Sequence, residues 1–152
     1  MAKKILREIV QLVVKAADLA RSIGINNLLQ PGLVKEMIIA ETLGHELIHS
    51  KRDADAHAPG NTDEKYEYLS CKEGGSGQLD RMFKGPSEKR SESLFRITRN
   101  KKIYLAIFYT NNQTKVKTIY ELEPKIVLRA TELKLNRSSN QISRDWFYRK
   151  LG

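Results

Sequence analysis

The chain has 152 residues, enough for one domain that buries roughly two-thirds of the surface its unfolded form exposes. Lysine and arginine outnumber the acids 27 to 18, and the resulting charge of +9 suits a polyanion such as nucleic acid better than an acidic protein or a neutral metabolite. A single cysteine excludes an internal disulfide framework and fits a reducing cytosol.

Ile5, Ile9, Leu12, Val13, Ala16, Ala17 and Ala20 recur at helical spacing, which predicts a long first helix ending at Gly24. Its apolar stripe is either core or a dimerisation surface. Arg7, Glu8, Gln11, Lys15, Asp18 and Arg21 interrupt the apolar run, so it is neither a membrane span nor a signal-peptide core. After a loop, LVKEMIIAETLGHELIHS reads as a second helix, interrupted near Gly44. Residues 51–72 read as a hairpin that reverses at Ala58-Pro59-Gly60-Asn61.

A glycine-rich, charged stretch follows and breaks at Gly85-Pro86; residues 87–100 then read as helical. This region is the most basic part of the chain, with Lys84, Lys89, Arg90, Arg96, Arg99, Lys101 and Lys102. IYLAIFYT and KVKTIYELE form a second hairpin around Asn111-Asn112-Gln113, and IVLRATELKL forms a last helix before a polar tail. The order predicts a mixed β-sheet flanked by helices, an α/β or α+β layer fold. It is one domain, with residues 1–24 as a possible dimerisation element, 51–125 as the sheet core and 126–152 as the final helix and tail.

The first hairpin carries the chemistry. Strand alternation puts Asp53, Asp55 and His57 on one side and the intervening alanines on the other, while Tyr68, Ser70 and Lys72 share a face with Leu69 and Cys71 turned to the core. If the turn brings the aspartates to Lys72, carboxylates can hold a hard cation beside an ammonium group, the set that phosphodiester hydrolysis needs. A rival pattern is His45-Glu46-Leu47-Ile48-His49, an HExxH string that on a helix would place both histidines on one face for Zn2+ with Glu46 as general base of a protease. A non-catalytic DNA-binding module is the third reading. Trp146, Phe147 and Tyr148 read as a packing anchor for the tail.

Three segments, GINNLLQ at 24–30, the acidic hairpin leading into YEYLSCK, and IYLAIFY followed by IYELEPK, resemble PvuII-like type II restriction endonucleases of the PD-(D/E)xK superfamily over most of the chain. The resemblance implies a restriction-endonuclease-like fold and a Mg2+-dependent homodimer that cuts both strands of double-stranded DNA at a specific site. Carried over by position, it makes Asp55 the first metal-binding acid, with Asp53 as rival, and Lys72 the lysine. Ser70 stands two residues before Lys72 where the family has an acid, so the missing carboxylate is sought in Glu67, favoured, or in Glu46, Glu88 or Glu92. Strict alternation turns Glu67 away from Lys72, and only a bulge would reunite them. The resemblance also puts Gln78, Asp80, Arg81, Asn140 and Gln141 near bases, while Lys84, Lys89, Arg96, Arg99, Lys101 and Lys102 read as phosphate clamps or plain surface.

Overall fold

The computed structural model describes residues 1–50, 52–75 and 90–136. Gln78, Asp80, Arg81, Lys84, Glu88, Asn140, Gln141 and Trp146 lie outside the described residues. The elements are α1 (Ala2–Ser22), α2 (Leu33–Leu43), β1 (Glu46–Leu47), β2 (Ala56–Ala58), β3 (Asn61–Lys72), α3 (Arg90–Thr98), β4 (Lys102–Tyr109), β5 (Asn112–Leu122) and α4 (Pro124–Leu135). The expected mixed sheet flanked by helices is present. Its five strands lie in the order β1-β2-β3-β4-β5, antiparallel except for the parallel pair β3 and β4. A parallel neighbour requires a long crossover, and the segment that contains α3 supplies it.

β4 is buried on both faces, which explains its nearly unbroken apolar run. Ile103, Leu105 and Ile107 pack with Leu69 and Cys71 of β3 against Ile97 of α3 and Val127 and Leu135 of α4. Tyr104, Ala106 and Phe108 point the other way and pack with Tyr66 and Tyr68 against Ile39 and Ala40 of α2. Cys71 is therefore a small buried residue, as its position next to Leu69 suggested. β5 is the lysine-bearing outer strand, only partly covered.

The first hairpin forms with Gly60 at φ 71° in its turn, a conformation that favours glycine. Ala54, Ala56 and Ala58 are buried as alternation required, but β2 begins only at Ala56, so Asp53 and Asp55 precede the strand. The second helix is shorter than its sequence pattern. Gly44 adopts φ 71°, and its N–H and that of His45 turn back to the carbonyls of Glu41 and Ala40, which closes the helix at Leu43. Beyond it the chain extends into β1.

Candidate functional site

Where β2 peels away from β3, Asp55 replaces the lost ladder. Its backbone N–H donates to the Tyr66 carbonyl at 3.1 Å, and its carboxylate Oδ2 accepts the Tyr68 N–H at 2.7 Å. This pins the carboxylate beside Glu67, the residue between those two tyrosines. Both acids line a cleft of about 580 Å3 with Glu36 from α2, Arg96 from α3, His49 and Asp53.

Glu67 is largely buried, with 12% of its side chain exposed. Burial first, and the nearby Asp55 charge second, push its carboxyl up to about 8, against the pull of Arg99 and Arg96 and with a further push from Glu36. The Arg99 guanidinium stands 3.9 Å from Glu67 Oε2 and donates through its other terminal nitrogen to the Arg52 carbonyl at 3.0 Å. Glu67 Oε2 and Arg99 Nε and Nη2 are buried without hydrogen-bond partners among the described residues. Groups of this kind call for a counter-ion, water or ligand.

The two aspartates of the hairpin have separate roles. Asp53 Oδ1 accepts from Lys65 at 2.7 Å and from the Ala54 N–H at 2.7 Å, and Lys65 holds its carboxyl below the usual carboxylate range. It is committed to an ion pair at the rim, whereas Asp55 faces Glu67.

Several sequence expectations are corrected here. β3 pairs with β4 without a bulge from Tyr66 to Lys72, so Glu67 and Lys72 point to opposite faces. Lys72 is exposed at the strand end, five residues and roughly 16 Å beyond Glu67, and does not line the cleft. Ser70 shares the Lys72 face and is likewise absent from the cleft lining. The residue two after Glu67, on its own face, is Leu69, which is buried.

Glu46 stands on β1, 3.5 Å from His57 Nε2 and outside the cleft lining, so it supplies no carboxylate to Asp55. Glu92 is exposed in the first turn of α3 and is also absent from the lining. Arg99, expected on a phosphate, is mostly buried against Glu67, whereas Arg96 opens into the cleft and Lys101 is exposed.

The HExxH reading loses its geometric basis, because His45 and His49 do not sit on a helix. Instead the His45 ring stacks on Tyr66 at 4.0 Å, and its Nδ1 shares a 2.7 Å hydrogen bond with the Tyr68 hydroxyl. Burial lowers its pKa, which favours a neutral ring. Among the described residues no group of three or more His, Cys, Asp or Glu side chains is gathered tightly enough to enclose a metal ion. No described helix is long and apolar enough to cross a membrane.

Glu36 was not singled out from the sequence. The available signal was an acid in the first turn of an otherwise apolar helix, which commonly means only helix-dipole compensation. Comparison of the sequence with the models of known protein families gives no match, and comparison with curated proteins gives none.

Proposed function

We propose that this chain is a Mg2+-dependent endonuclease of double-stranded DNA, organised like a type II restriction endonuclease of the PD-(D/E)xK superfamily, cytoplasmic, and working as a homodimer. The observation that carries this reading is the pairing of the Asp55 and Glu67 carboxylates in an open cleft bordered by Glu36 and Arg96 and backed by Arg99. The charge of +9 supports a DNA partner. Two copies related by a two-fold axis present one cleft to each strand.

The residues fit a hard cation. Among the described residues Glu67 Oε2 is a buried oxygen with no hydrogen-bond donor, and Mg2+ is commonly held by one or two carboxylates, with waters and phosphate oxygens completing its shell. A catalytic zinc site would need three protein ligands gathered about one point, which the described residues do not offer, and His45 is engaged with tyrosines. When bound, such an ion polarises the phosphoryl group and lowers the pKa of a water. The Tyr68 N–H orients Asp55 for this purpose, and Glu67 must release its proton before it can accept a cation. Arg96 lines the cleft and supplies positive charge toward a phosphate, while Arg99 steadies Glu67 from behind.

The departure from the family pattern is Leu69, two residues after Glu67 where that pattern has lysine. This favours a second reading, a DNA-binding module that does not cut. Incubating the chain with supercoiled plasmid and phage DNA in Mg2+ or in EDTA separates the two. Discrete fragments in Mg2+ alone support the nuclease, retention of intact DNA supports the binding module, and the absence of both cleavage and retention rejects both.

Within the nuclease reading, Lys72→Ala is expected to cut within roughly threefold of the unmodified rate, since an exposed lysine contributes at most about one phosphate contact. Abolished cutting by that variant, with binding intact, would return the catalytic role to Lys72.

A further inference from the structure

α1 carries an apolar stripe that the described residues leave almost uncovered. Eight large apolar side chains between Ile5 and Leu19 are 39–62% exposed, and Ala20 alone is buried. Among the described residues the helix is thus seated on the domain only at its C-terminal end. Monomeric proteins rarely leave so continuous an apolar stripe in water.

The stripe is patterned for another helix. Ile5, Ile9, Leu12, Ala16, Leu19 and Ile23 alternate at spacings of four and three, the seam of a two-helix coil. Glu8 and Lys15 flank this seam on one side, a heptad apart, and Leu6 and Val13 flank it on the other. In an antiparallel pair each flank meets the same flank of the second helix, whereas in a parallel pair it meets the opposite one. Only the antiparallel arrangement therefore sets Glu8 against Lys15, and the two-fold axis makes that contact twice.

We propose that α1 pairs antiparallel with α1 of a second copy of this chain, Ile9 opposite Leu12, Ile5 opposite Ala16 and Glu8 beside Lys15. In this register the overlap runs from Ala2 to Leu19, the exposed part of the helix, and stops where Ala20 is seated on its own domain. The pairing does not depend on whether the cleft cuts DNA.

Sedimentation velocity on the full chain across the micromolar range tests it. A dimer is expected whose dissociation constant rises roughly tenfold in Glu8→Lys and in Lys15→Glu, because each change creates two like-charge contacts. The double variant restores the opposite charges and should return to within about twofold of the starting affinity. Thermal melting by circular dichroism confirms that the single variants remain folded. A monomer throughout the range overturns the proposal. A dimer indifferent to both single changes, or one not rescued by the double change, overturns the antiparallel register.

Discussion

Asp55→Asn is expected to reduce Mg2+-dependent plasmid cleavage by on the order of a thousandfold while leaving DNA binding largely intact. An amide oxygen can still accept the Tyr68 N–H, so the junction where β2 leaves β3 keeps its hydrogen bond and the fold survives. What disappears is the negative charge that would share a cation with Glu67. Losing metal-derived stabilisation of several kcal/mol, at about 1.4 kcal/mol per tenfold, gives the stated loss. The removed charge is also the second-largest cause of the raised Glu67 pKa, so that pKa should fall in the variant. Cleavage by Asp55→Asn at the unmodified rate, measured beside a gel-shift assay, rejects the site.

Glu67→Gln should cut equally poorly yet melt at a higher temperature in alkaline buffer. Glu67 is protonated in the folded chain up to about 8, whereas the unfolded chain releases that proton near 4.5. Between those values the folded state holds a proton that the unfolded state lacks, so stability falls as pH rises through the window, by a few kcal/mol in all. Glutamine mimics the protonated acid at every pH. The two proteins should therefore unfold together near pH 4.5 and diverge toward pH 8.5, where the variant melts roughly 5–10 °C higher.

Mg2+ supplies the complementary readout. It should raise the melting temperature of the unmodified chain more at pH 8 than at pH 6, because cation and proton compete for Glu67, and it should have little effect on the variant. A Glu67→Gln protein that melts lower at pH 8.5, or one stabilised by Mg2+ as strongly as its parent, contradicts the assignment.

These two carboxylates show how far the site was legible. Glu67 stands among the candidate acids because it lies between two tyrosines, whereas Lys72 is matched to Asp55 by its place in the hairpin, with Ser70 where the acid would be. The strand decided otherwise. Its even pairing with β4 leaves no bulge to bring Glu67 and Lys72 to one face, so the position on the Glu67 face is the buried Leu69. Asp55 was selected for its place in the hairpin, but its partner, the Tyr68 N–H, became available only because β2 is short. Glu36 and Arg96 enter from two different helices, and local spacing cannot reveal such convergence.

A similar division runs through the elements. The apolar stripe of α1, the buried alanines before the Pro59-Gly60 turn and the apolar run of β4 follow from side-chain periodicity and turn chemistry, which act over a few residues. The HExxH string failed for the opposite reason. A helical motif has meaning only inside a helix, and Gly44 ends that helix one residue before His45.

The amino-acid order alone therefore determined the kinds of element, the mixed layered fold, the basic character and an acidic hairpin able to carry chemistry. The tertiary structure decided which acids meet, which aspartate is already neutralised by Lys65, and that an arginine rather than Lys72 lies beside the buried carboxylate. The physical reason is that secondary structure responds to neighbours along the chain, whereas desolvation and Coulomb interactions respond to neighbours in space, which only the packed sheet and helices define.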